Sequence, residues 1–245
     1  MCSRSSCRSG PGIATITTTE VLLALLQLGD GLFPAGGFAH SFGLETYAQE
    51  GRVRDRAGLE AFVTAHLEGA AGPGDAVAAA VATRLAAAGD LAAWCELDAR
   101  LDAMKTVPEF RAASRQMGRQ TARVAAALGD DAFLAGVVRA IDDGLAPGHH
   151  AAVFGAAAGR FGAGAETAAA AYLYSTAALL VGAGLRLLTL GQLDGQRVLA
   201  AVRPPIARLA AAAARATAED MWTFTPALEL AGLRHARLDM RLFRS

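Results

Sequence analysis

Apolar residues return every three or four positions along nearly the whole chain and hardly anywhere every two. That is the spacing of helices with one face in a core rather than of half-buried strands. Val21, Leu22, Leu25 and Leu28 begin the series. The clearest case is Phe110, Ser114, Met117, Thr121, Val124 and Leu128, one continuous helical face. Pro108 just ahead of it sits where a first-turn proline is tolerated. The other prolines also fall at boundaries: Pro226 follows a capping Thr225, Pro147 follows the loop Asp142-Asp143-Gly144-Leu145-Ala146, and Pro204-Pro205 ends one helix and opens another. Ala-rich stretches such as AVAAAVATRLAAAG keep the helical period, and their small side chains let helices approach closely. The pattern predicts an all-α, single-domain compact helical bundle of about ten helices over residues 14–240. A disordered lead-in, 1–13, precedes it, and a partner-binding tail, 241–245, follows.

Composition narrows the choice of chemistry. The 245 residues suffice for a large core, and with 53% hydrophobic and 19% charged residues the chain has much surface to bury, inside itself or against a partner. A formal net charge of zero gives no bulk pull toward nucleic acid or anionic membrane, so neither is expected as a partner. Three scattered cysteines and no secretory apolar run fit a reducing, cytoplasmic setting. Thr167 to Leu185 carries no charge and is long enough to cross a bilayer. Its alanines, glycines and tyrosines suit a buried core helix better.

Catalytic and metal motifs fare poorly. Ala39-His40-Ser41-Phe42-Gly43 is one residue from the G-x-S-x-G elbow, which needs a strand feeding a helix. A serine hydrolase using the His40-Ser41 segment is the alternative function, and it would require a sheet. Read as helix, the same stretch pairs Phe38 with Phe42 and lines up His40, Leu44 and Tyr47 on another side. Two apolar faces on one short helix ask for more than one packing partner. The five histidines offer only the adjacent His149-His150, and no Cys-x-x-Cys or His-x-x-x-His occurs, so no metal cage is expected. Lys105, the single lysine, lies outside any Gly-rich phosphate loop. No cofactor is expected either.

Two charged patterns stand out. Arg111, Arg115, Arg119 and Arg123 recur every four residues beside the apolar face of one helix. They form either a solvated face paired with nearby acids or, at Arg115 and Arg119, a docking strip for an acidic partner. In the tail, Leu242 and Phe243 sit between Arg241 and Arg244, an apolar pair suited to a partner's groove.

LLQLGDGLFPAGGFAHSFGLE, RAASRQMGRQ, HHAAVFG, YLYSTAALLVGAGLRLLTLGQLDGQRVL and the terminal RLFRS, in this order over nearly the whole chain, resemble the urease accessory protein family UreF. Ala39 departs from the serine usual there. The resemblance implies a non-catalytic helical protein that dimerises, binds the accessory protein UreD (also called UreH) and recruits or regulates the GTPase UreG. Together these would deliver nickel to apo-urease and support carbamylation of its active-site lysine. The family's motif falls on Gly37, His40, Ser41, Gly43, Leu44, Glu45 and Tyr47, and its tail on Arg241, Leu242 and Phe243. The resemblance implies that Tyr47 and the tail order each other when UreD/UreH binds, with Leu242 and Phe243 buried.

Overall fold

The computed structural model describes residues 18–245; the expected lead-in, with Cys2 and Cys7, lies outside them. The chain is all-α, with no strand among the described residues. In order come α1 (Thr19–Gly29), α2 (Leu44–Gln49), α3 (Arg56–His66), α4 (Val77–Ala88), α5 (Leu91–Met104) and α6 (Pro108–Ala127). Then follow α7 (Ala132–Asp142), α8 (His150–Arg160), α9 (Ala165–Leu187), α10 (Gln192–Ala201), α11 (Arg203–Arg215) and α12 (Pro226–His235).

Side-chain caps start several helices: Thr18, Asp55, Asp90 and Asp131 each accept a backbone N–H of the first turn of α1, α3, α5 and α7. Prolines open α6, α11 and α12, where the missing N–H costs nothing. The largely apolar α9, charged only at Glu166 and Arg186 near its ends, is the central helix, packed against α1, α4, α8, α10 and α11. It is the one described helix long and apolar enough to cross a membrane, and half of its apolar window is buried inside the bundle. Leu173 and Leu180 on it are fully buried, each contributing roughly 1.5–3 kcal/mol.

The closest helix pair is α4 with α8. Gly155 of α8 lies directly on the backbone carbonyl of Ala79 in α4, leaving no room for a Cβ. Trp94 of α5 closes this layer, fully buried, its indole N–H donating to the Ala152 carbonyl at 3.0 Å.

Between α3 and α4 the helix continues without a break through a π-helical stretch, Leu67–Ala76. Pro73 within it has no N–H to donate, and the widened turn frees carbonyls. Gly69 and Pro73 turn theirs to the backbone N–H groups of Phe224 and Trp222, at 2.8 and 3.2 Å. The widened turn also aims Asp75 inward, where it pairs with Lys105 at 2.7 Å.

Two sequence expectations need correction. The Phe38–Tyr47 stretch is not one helix. A 3-10 turn (Gly37–Ala39) is followed by a bend, and α2 starts only at Leu44. Positive φ at Gly36 (81°), Phe42 (49°) and Gly43 (88°) interrupts the helical path. Phe38 is therefore 74% exposed rather than paired with Phe42. In α1, Leu25 and Leu28 are buried, whereas Leu22 faces outward with Leu23 and Leu26.

Candidate functional site

The bend from Gly37 to Gly43 leans on α9, with Gly37 close against Leu179. It presents a run of backbone groups to the 241–245 segment. The Ser245 backbone oxygen accepts from Ser41 N (2.6 Å), Phe42 N (3.0 Å) and the Ser41 hydroxyl (2.8 Å). The Arg244 N–H donates to the Ala39 carbonyl at 2.8 Å. His40 Nδ1 lies 2.8 Å from Ser245 Oγ. Burial and the nearby Arg244 push the His40 pKa down to about 4, so its ring is neutral near pH 7.

The other wall of this corner is Glu45. Its carboxylate accepts the Leu242 N–H at 2.6 Å and the Phe243 N–H at 3.1 Å. It also meets His235 Nε2 at 2.9 Å, while His235 Nδ1 faces Glu109 at 2.7 Å. Glu109 in turn pairs with Arg241 at 3.1 Å. Glu45 is 2% exposed and His235 fully buried, so the acids, the histidine and the two tail N–H groups form one closed network. Phe243 fills the remaining space, 3% exposed, with the Arg186 guanidinium 4.2 Å from its ring centroid.

The predicted partner residues thus divide. His40, Ser41, Leu44 and Glu45 are buried, and apart from Leu44, a core residue, they hold the chain's own tail. Phe243 is buried in the same chain, so of the apolar pair expected to sit in a partner's groove only Leu242 stands outward. Leu242 is 61% exposed, and Arg241 is exposed beside Glu109. The ring contacts of Tyr47 are with Phe62 and Arg52 rather than with the Glu45 network. Two residues on from Glu45, Tyr47 occupies the opposite face of α2.

The hydrolase alternative fails on geometry. Ser41 and His40 both bond to Ser245 rather than to each other, and no strand is present among the described residues to form the elbow.

A second polar cluster went unread in the sequence. Ser114 of α6, His149 at the start of α8 and Asp102 of α5 form a chain, with Ser114 Oγ 3.0 Å from His149 Nδ1 and Asp102 Oδ1 2.8 Å from Nε2. Serine and acid stand on the ring nitrogens opposite to those a hydrolase uses. Arg115 donates to the same Asp102 oxygen from Nε and Nη2, at 2.9 and 2.6 Å. Burial, with help from Lys105, lowers the His149 pKa to about 4, so this ring acts as a neutral link between three helices. Asp98, buried beneath, accepts the Gly148 and His149 N–H groups, and burial raises its pKa to about 6.

Two of the four arginines in the row, Arg111 and Arg115, are engaged in this region. Arg111 donates to the Lys105 carbonyl, Arg115 to Asp102 and Arg123 to Asp142, while Arg119 is exposed.

Between the two clusters lies a cavity of about 100 Å³ whose lining includes His66, Asp75, Lys105, Ser114, His150 and Tyr172 among further hydroxyl and apolar side chains. His66 Nδ1 is the buried side-chain polar atom with no hydrogen-bond partner among the described residues. Burial lowers the pKa of His66 and of His150 to about 4. Asp75 is pushed up by burial but held below its ordinary range by Lys105. Among the described residues no three His, Cys, Asp or Glu side chains converge closely enough to hold a metal ion.

Comparison with known proteins places this geometry in context. The UreF family profile matches residues 53–203. The chain is similar to the urease accessory protein UreF of Bacillus sp. (strain TB-90), 33% identical over 224 residues, covering 91% of this chain and 99% of that protein. It is likewise similar to UreF of Rhodopseudomonas palustris (strain BisA53), 35% identical over 239 residues and covering 96% and 98%. For UreF of Arthrobacter sp. (strain FB24) the identity is 33%, with coverage of 91% and 96%.

Proposed function

The chain belongs to the UreF family of urease accessory proteins, and from that membership we propose that it serves urease maturation as a docking scaffold. In this reading it dimerises, binds the UreD/UreH accessory protein and recruits or regulates the GTPase UreG, which together deliver nickel to apo-urease and support carbamylation of its lysine. The protein's own part is to hold surfaces in place, and the chemistry belongs to its partners.

The observation that carries this reading is the meeting of the two family motifs at one corner. Glu45 and Leu242 are 197 residues apart in sequence, yet Glu45 bonds the Leu242 N–H directly. Buried His40, Ser41, Glu45 and Phe243 set the shape of the corner, while Phe38, Met240 and Leu242 stand outward at 74%, 81% and 61% exposure. Exposed apolar side chains fixed on a rigid base are the usual material of an interface core. The outward leucines of α1, with Leu32 beyond them, supply a further apolar surface for the second copy.

A host carrying the urease genes but lacking this protein provides the test. The wild-type chain restores urease activity and nickel content, whereas Leu242→Asp, which leaves the buried tail contacts in place, lowers both at least ten-fold. Full activation by Leu242→Asp would set aside the tail corner as the docking surface.

A further inference from the structure

Much of the hold on the tail runs through its backbone. Glu45 accepts the Leu242 and Phe243 N–H groups, the Ala39 carbonyl accepts that of Arg244, and Ser41 and Phe42 donate to the Ser245 oxygen. Arg241 is exposed and pairs with Glu109, and beyond it, from Leu242 to Ser245, the side chains alternate, Leu242 and Arg244 exposed and Phe243 and Ser245 buried. That is the period of an extended peptide lying along a wall that reads every second residue.

The wall has its own support. His40 N bonds Gly37 O, Leu44 N bonds Ser41 O and Tyr47 N bonds Gly43 O, contacts that do not involve the tail. The positive φ values of Phe42 and Gly43 lie within this self-supported turn. From Ala236 to Met240 the linker joining the tail to α12 is irregular and mostly exposed, with only Leu238 half-buried. Phe243 is the one large apolar anchor beyond it.

We infer that the corner formed by Ala39, Ser41, Phe42, Glu45 and Arg186 is a recognition site for an extended Phe-x-Ser peptide, and that the tail of a second copy of this chain can occupy it in place of the chain's own. Exchange through an exposed linker makes a reciprocal pair without any new contact, because the incoming tail repeats the bonds that the departing one gave up. This inference rests on the tail geometry alone and stands apart from the urease reading.

The experiment uses the full-length chain and a fluorescein-labelled Arg-Leu-Phe-Arg-Ser peptide followed by anisotropy. Phe243→Ala weakens the resident tail, so the peptide binds this variant at least ten-fold more tightly than it binds wild type. A peptide with alanine in place of phenylalanine binds neither. Wild-type chain added to the Phe243→Ala chain forms a mixed dimer that excess peptide dissolves. Equal affinity for both chains, or no binding to a Phe243→Ala chain with unchanged circular dichroism, overturns the recognition site. Peptide binding without the mixed dimer confines the tail to its own chain and overturns the exchange. Should Phe243→Ala fail to fold, hydrogen exchange on wild type decides. Release of the Phe243 and Arg244 amides by local opening, faster than the α9 core, supports the site, and exchange only with global unfolding contradicts it.

Discussion

Glu45 carries more of this corner than any other side chain. Its two oxygens accept from Leu242, Phe243 and His235 at once, and it has almost no contact with water. Glu45→Gln keeps the size but turns one acceptor into a donor facing other donors. Breaking a buried, hydrogen-bonded charge in this way costs about 3 kcal/mol. Urea unfolding should show that loss, and the Leu242 and Phe243 amides should exchange faster than in wild type. An unchanged midpoint with full amide protection would mean that the tail is held by Phe243 alone. The sequence motif singles out Glu45, but its role could not be read there, because its partners lie 190 or more residues away along the chain. The Ser114–His149–Asp102 chain escaped for the same reason. Its members sit on three helices with no shared spacing.

Among the elements, legibility follows the strength of the period. On α6, Ser114, Met117 and Thr121 of the predicted face are buried, and Pro108 does open the helix. At the far end Leu128 is 51% exposed, because the core no longer reaches it. The bend before α2 was misread because apolar spacing continues through it while the backbone does not. Gly36 and Gly43 adopt left-handed φ, which a side-chain pattern does not encode. The π-helical stretch Leu67–Ala76 was equally hidden. Glycines and Pro73 give no period there, and its regularity depends on Trp222 and Phe224 taking the carbonyls it frees. Small residues gave the right inference of close helix approach, realised where Gly155 meets Ala79.

At the scale of the whole molecule, the all-α bundle was legible because helical periodicity runs almost end to end. The histidines add a global property that composition does not reveal. His40, His66, His149 and His150 all have pKa values lowered by burial to about 4, against an unfolded value near 6.5. The unfolded chain therefore takes up protons first as the pH falls, and the stability these rings confer above about 6.5 is lost on the way down to about 4. Asp98 works in the opposite sense. Its raised pKa of about 6 favours the fold at low pH, and that contribution is lost as pH rises from its unfolded value toward 6. Four histidines outweigh one aspartate, so stability should drop by several kcal/mol, roughly, between pH 6.5 and 4.5. Thermal melts across that window check it, and a constant Tm would contradict the buried neutral rings.

The scaffold reading is tested most directly by size-exclusion chromatography with light scattering, on this chain co-expressed with its cognate UreD/UreH and UreG. The full-length chain should elute as one complex holding two copies of each protein. A chain ending at Met240 with unchanged helical circular dichroism should leave UreD/UreH unbound. Assembly of the same complex by the shortened chain would contradict the claim that the tail corner is where the partner docks.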